Sequence, residues 1–222
     1  MRSNTMTSRS EAQLLANHKV LRNTYALLSM TLLFSAFTAW LAMHLNMPRL
    51  NVFVVLGGYF GLLWLTHKFA NQAMGLIFVF LLTGFMGLTL GPILDMYFNR
   101  FANGTELVGM ALGGTGIVFL AMSGIALTTK KDFSFMGGFL MVGILVAFTA
   151  AIANIFFQIP ALSLAVSSAF IPLMAGLIMY QTSSIIHGGE TNYILATTTL
   201  YVAIFNLFTS LLHVLGFFLG DD

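Results

Sequence analysis

Residues 136–157 read MGGFLMVGILVAFTAAIANIFF, twenty-two positions without a single charge. A helix needs ~20 mostly apolar residues to cross the hydrocarbon core of a bilayer. The apolar character of this run is continuous rather than alternating, so it reads as a helix and not as a strand of a membrane barrel. Polar breaks bound it, Lys130-Lys131-Asp132 before and Gln158-Ile159-Pro160 after, and the same punctuation recurs along the chain. Working outward, Asn46-Met47-Pro48-Arg49, His67-Lys68, Asn99-Arg100 and His187-Gly188-Gly189-Glu190 divide the remainder into six further apolar runs. The spans are expected near 24–45, 50–66, 74–98, 105–127, 136–157, 160–186 and 193–219. The fold class is therefore an all-α integral membrane protein of seven transmembrane helices. Residues 1–23 form a polar N-terminal tail and residues 24–222 the seven-helix domain.

Composition supports this. Of 222 residues, 58% are hydrophobic and 7% charged, with a mean hydropathy of +0.91. Soluble domains carry about 25% charged residues because they must cover their surface with polar groups. The absence of cysteine removes disulfides, thiol catalysis and thiolate metal sites. The net charge of +2 is scattered through loops, and no dense basic block indicates a nucleic-acid partner. No cleaved signal peptide is expected, since the first apolar run is too long and lacks a small-x-small site.

Lys and Arg near span ends set orientation. With the N-terminus cytoplasmic, that side holds Arg2, Arg9, Lys19, Arg22, Lys68, Lys130 and Lys131, and the other holds only Arg49 and Arg100. The C-terminal Asp221-Asp222 then lies outside. Ser10 and Gln13 have the spacing of a capping box for a short helix in the tail.

Ionisable groups inside a bilayer are costly and point to function unless they reach the headgroups. Asp95 and Glu106 sit near the outer ends of their spans and are read as interfacial. His213 lies in the outer half of the last span, with no second His three or four residues away to complete a metal pair. Three amides, Asn154, Gln181 and Asn206, fall in consecutive spans. They either bond neighbouring helices or line a polar path, and the sequence leaves both readings open. Gly57/Gly61, Gly87/Gly91 and Gly109/Gly113 have the spacing that lets helix backbones approach closely. Gly113-Gly114-Thr115-Gly116 has no following Gly-Lys-Ser/Thr, so no nucleotide site is expected. Ser123-Gly124 lacks the glycine two residues upstream of a serine intramembrane protease, and only Asp95 could serve an aspartyl one. The chain is read as a non-enzyme without metal or cofactor. Asn103-Gly104-Thr105 fits a glycosylation sequon.

Several segments resemble the BAX inhibitor family of seven-span proteins, the transmembrane BAX inhibitor motif proteins. They are Leu21-Arg22-Asn23-Thr24-Tyr25, Gly84 to Leu94, and Leu200-Tyr201 through Gly216. His18 to Tyr25, Leu127 to Asp132, Ala153 to Phe156, and Ile185 to Ile194 with its His187-Gly188-Gly189-Glu190 loop are similar to a bacterial branch of that family, over nearly the whole chain. The resemblance implies six helices around a hydrophobic seventh, an inner-membrane location, and regulation of FtsH, a membrane-anchored ATP-dependent protease, as partner. It also implies an alternative. Some members leak calcium in a pH-dependent way through two aspartates, one in a Tyr-Asp-Thr pattern and one in Leu-Tyr-Leu-Asp. Here those patterns read Tyr180-Gln181-Thr182 and Leu200-Tyr201-Val202-Ala203. Calcium prefers anionic oxygen ligands; Gln181 offers a neutral oxygen and Ala203 none, while the family's basic residue in the last span appears as His213.

Overall fold

The computed structural model describes residues 2–129 and 131–221, with side chains from Leu15 onward. The side chains of Arg2, Arg9, Ser10, Glu11 and Gln13, and residues Lys130 and Asp222, lie outside that description. Seven helices follow one another: α1 Arg2–His44, α2 Val52–Lys68, α3 Ala73–Arg100, α4 Gly104–Thr129, α5 Met136–Phe157, α6 Pro160–Ile186 and α7 Tyr193–Leu219. Six are long and apolar enough to cross a membrane. The seventh, α2, has 17 residues, the lower limit for a span. The last three helices have the bounds expected from sequence. The first does not: α1 continues through the polar segment back to Arg2 as one 43-residue helix. No proline or glycine stops it, since the first of either is Pro48.

α7 is the axis of the bundle. It packs directly against α1, α2, α3, α4 and α6. α5 stands behind α6 and reaches α2 through the edge-to-face pair Phe60–Phe148, with centroids 5.5 Å apart. Burial follows from this position. Leu200, Tyr201, Ala203, Ile204, Leu207 and Leu212 of α7 are buried, whereas Phe139, Val142 and Val146 of α5 are exposed to the surroundings of the bundle. In lipid there is no hydrophobic drive between helices, so small residues and polar ties hold them together. The buried polar side chains are accordingly internal: Thr24, Ser35, Thr83, Ser123, Thr182 and Thr197 among others. The Tyr201 hydroxyl lies 2.6 Å from Ser35 Oγ on α1 and donates to the Thr83 carbonyl of α3 at 3.2 Å.

α1 and α3 touch along glycines. A Cβ on Gly87 would collide with Thr38 Oγ1 and the Ser35 carbonyl, and one on Gly91 would lie 2.6 Å from the Ala39 carbonyl. The other two expected glycine pairs do not pack: Gly57, Gly61, Gly109 and Gly113 have open space where a Cβ would be. Spacing places a pair on one helix face, but only the neighbour decides whether that face is covered.

The His187-Gly188-Gly189-Glu190 loop turns α6 into α7. Gly188 adopts φ 76°, which side-chain-bearing residues resist. The amides of Gly189 and Glu190 close on the Ser184 carbonyl at 2.8 and 3.2 Å. Glu190 Oε1 accepts from the Asn192 amide at 2.7 Å. Asn192 Oδ1 in turn accepts from the Ile194 and Leu195 amides, capping α7. Its Nδ2 donates to the Ala70 carbonyl and Asn71 Oδ1 in the α2–α3 turn.

In the α1–α3 contact, Gly87→Ala is expected to lower stability by about 1–3 kcal/mol through overpacking, while Gly109→Ala is neutral or stabilising by up to ~1 kcal/mol through helix propensity. Thermal unfolding of both variants in one detergent separates the two faces. At the turn, Asn192→Ala is expected to cost about 1–2 kcal/mol from the lost cap and the lost tie to α2–α3, read as a lower melting midpoint with unchanged helix content.

Candidate functional site

The end of the bundle carrying Arg22, Lys68 and Lys131 is here the basic end; Arg49 and Arg100 lie at the opposite end. Between α2, α3 and α7 the packing leaves a cleft open at the opposite end. Its outer part, about 500 Å³, begins at exposed Arg49 and is lined by Tyr97, Thr209 and His213. An inner part of about 240 Å³ adjoins it, shares Val55, Thr89 and Phe205, and continues past Asn206 and Tyr59 to Met174, Leu177 and Val202. Three of the polar side chains within are bonded close to home. Asn206 Nδ2 donates to the Val202 carbonyl at 2.8 Å, and the Thr89 and Thr209 hydroxyls donate to Met86 and Phe205. Such back-bonding to the previous turn is how helices carry polar residues in apolar surroundings. His213 Nδ1 lies 2.8 Å from Ser167 Oγ and ties α7 to α6. Arg49 also meets Met96 Sδ through its guanidinium.

A second polar cluster lies near the basic end. Tyr25 Oη is 3.1 Å from Thr182 Oγ1, which is 3.5 Å from Ser123 Oγ, joining α1, α6 and α4. Beside it Gln181 is 6% exposed, and its Nε2 has no hydrogen-bond partner among the described residues. A buried donor left without a partner costs about 1–3 kcal/mol. Ser183 Oγ accepts from the Phe133 amide at 3.0 Å and lies 3.2 Å from the Lys131 carbonyl, so the α4–α5 loop is latched to α6. In that loop Asp132 Oδ1 accepts from the Ser134 amide at 2.9 Å. That bond, with further help from the Ser134 side chain and nearby His187, holds the carboxyl below its ordinary pKa.

The two clusters do not join. Gln181 is five residues from the end of α6, ~8 Å of rise, whereas Asn206 and His213 are ~20 and ~30 Å along α7 from its start. Leu82, Met86, Ile178, Leu200 and Tyr201 fill the space between as one packed core. Asn154 is not deep in a span. It stands three residues before the end of α5, where its Oδ1 accepts from the Ile159 amide and its carbonyl from Gln158, which takes a left-handed φ of 52°. Its side chain closes the α5–α6 turn and is spent there. A common interior for Asn154, Gln181 and Asn206 is therefore not formed; only Asn206 and His213 share a cleft. Ala203 is wholly buried in the apolar core. Asp95 is half-buried and accepts from Asn99 Nδ2 at 3.0 Å; Glu106 is exposed in the first turn of α4, where the helix dipole favours an anion. Among the described residues no three His, Asp or Glu side chains gather around a common point. Asn103, the sequon residue, donates to the Leu219 carbonyl at 2.7 Å and holds the C-terminal end of α7.

Sequence reading missed Arg49, Tyr97 and Thr209 as cleft residues, Ser167 as the partner of His213, and the Tyr201–Ser35 pair at the centre. Serines and threonines are so common in membrane helices that their spacing carries no signal. The seven-residue interval from Asn206 to His213, which places both on one helix face, was the available clue.

The family described as inhibitor of apoptosis-promoting Bax1 matches residues 17–219. The Escherichia coli K12 protein "Modulator of FtsH protease YccA" is 52% identical over 211 residues, covering 95% of each chain. A Pseudomonas aeruginosa protein is 51% identical over 91% of each chain, and a membrane protein of Vibrio cholerae 43% identical over 98% of this chain and 97% of its own. The Escherichia coli O6:H1 relative, also 52% identical over 95% of each chain, bears the name "Inner membrane protein YccA". A matching family, whole-length relatives and seven apolar helices make this chain a multi-pass inner-membrane protein that belongs to the Bax1 inhibitor family.

Proposed function

We propose that the chain is a non-catalytic inner-membrane regulator that binds an FtsH-type ATP-dependent protease and modulates it. One observation carries the proposal: 52% identity over 95% of both chains to a protein named as a modulator of that protease. The basic end then faces the cytoplasm, in keeping with the positive-inside rule, and the N-terminal end of α1 is on that side. Asn17 Nδ2 donates to the Ile186 carbonyl at 2.9 Å and fixes α1 to the end of α6. The polar segment Arg2–Ala16 prolongs α1 past that tie for about four turns. It is helical rather than extended, so its reach is ~20 Å at 1.5 Å per residue instead of ~50 Å at 3.3 Å. It offers the protease a handle that stays outside the bundle.

The side chains among the described residues lend themselves to packing rather than to bond cleavage. Ser167 and His213 have the separation of a nucleophile and base, but no third side chain among them orients His213. Ser123 pairs with Thr182 instead of a histidine. An ion leak is the less supported reading, since the polar side chains near the basic end and those of the outer cleft are separated by packed apolar residues.

Two measurements test the proposal. Co-purification from native membranes in mild detergent is expected to recover the protease, with recovery unchanged in Gln181→Leu. Deleting residues 1–16, which leaves Asn17 and its tie in place, is expected to abolish protease-dependent turnover while membrane insertion stays normal. Failure to recover the protease, or normal turnover of the shortened chain, refutes the corresponding part of the proposal.

A further inference from the structure

α1 and α4 run side by side without touching through their backbones: no Cα of one comes within 8 Å of a Cα of the other among the described residues. The seam is bridged by one ring pair, Tyr25–Phe119, at 5.8 Å. On the basic side of that pair is a cleft of about 690 Å³ lined by Leu15, His18, Lys19, Arg22 and Tyr25 of α1 and by Leu127 of α4. On the other side is a groove of about 570 Å³, walled by Leu32, Ala36 and Trp40 on α1 and by Leu112, Gly116 and Phe119 on α4.

The chemistry of the two compartments differs sharply. His18, Lys19 and Arg22 are exposed, and no ion pair or hydrogen bond engages any of the three among the described residues. The cleft therefore presents, at the membrane boundary, at least two positive charges that no described side chain pairs with. The groove is lined chiefly by apolar side chains. Its hydroxyls are already committed, Ser35 to Tyr201 and Thr115 to the Ala111 carbonyl. From Arg22 to Ala36 is fourteen residues, ~21 Å of helix rise. That is comparable to the depth of one leaflet, about half of a ~30 Å hydrocarbon core plus the headgroup layer.

An anion at the boundary joined to an apolar chain one leaflet long is the description of an acidic phospholipid. We propose that the α1–α4 seam is a binding site for one such lipid. Its phosphate sits against Lys19 and Arg22, and an acyl chain passes Tyr25–Phe119 into the groove beside Ala36 and Gly116. A zwitterionic lipid fills the groove equally well but gains less from Lys19 and Arg22, so selectivity resides at the head and seating at the chain.

Native mass spectrometry of the full chain in mild detergent, with phosphatidylglycerol and phosphatidylcholine of identical acyl chains, tests this. Phosphatidylglycerol is expected to be retained in preference. The double variant Lys19→Gln/Arg22→Gln is expected to weaken its retention by roughly thirtyfold, about fivefold for each cation lost. Gly116→Phe fills the groove from a position with no atom within 4 Å of a new Cβ. It is expected to release the lipid although every cation remains, with the melting midpoint as the check that each variant is folded. Equal retention of both lipids overturns the proposal, as does wild-type retention in the folded double variant. Release of the lipid by inorganic phosphate, or unchanged binding in Gly116→Phe, shows a surface attraction to anions and rejects a seated lipid.

Discussion

One hydroxyl lies where three helices meet. Tyr201, on the central helix, is 1% exposed and shares its oxygen between Ser35 of α1 and the backbone of Thr83 on α3. In a bilayer neither water nor the hydrophobic effect is available to draw helices together, so a buried polar atom has only other helices to turn to. That constraint organises the bundle. The buried polar side chains are threonines and serines apart from Gln181, and large apolar side chains point both inward and out to lipid. The close approach of α1 and α3 at Gly87 and Gly91 is what brings Ser35 within reach of Tyr201.

The same constraint makes the helix ends consequential. Asn192 caps α7 and reaches across to the α2–α3 turn; Asn154 closes the α5–α6 turn; Asn103 holds the end of α7. Three asparagines that read as polar path, sequon or loop residues are thus structural fasteners. Each satisfies backbone groups that a membrane boundary leaves without partners. The His187-Gly188-Gly189-Glu190 loop belongs with them: its glycines permit the reversal and its glutamate secures Asn192.

Space is left where helices diverge. The α2–α3–α7 cleft opens at the Arg49 end and stops against Leu177 and Val202, and the α1–α4 seam opens sideways toward lipid. The packed layer of Leu82, Met86, Ile178, Leu200 and Tyr201 separates the cleft from Gln181. Gln181 remains the one side-chain amide buried with a donor unmet among the described residues. It neighbours Thr182 in sequence, and the hydroxyl cluster of Tyr25, Thr182 and Ser123 stands apart from the cleft rather than forming one stage of a through-path.

The sequence alone determined the number of helices, their bounds from α5 onward, and the family, because these rest on continuous apolar length and on long specific motifs such as Ile185 to Ile194. It did not reveal that α1 runs unbroken through its polar beginning, because the end of apolar character does not end a helix that contains no breaker. Nor could it tell which glycines pack. Gly87 and Gly109 carry the same spacing signal, and only the neighbour facing each one separates a tight contact from an open surface. The candidate sites were less legible still. Gln181, Asn206 and His213 stand out by residue type, but whether polar groups on different helices meet depends on height and rotation about each axis. Those are fixed only when the helices pack, and here packing joined His213 to Ser167 and left Gln181 apart.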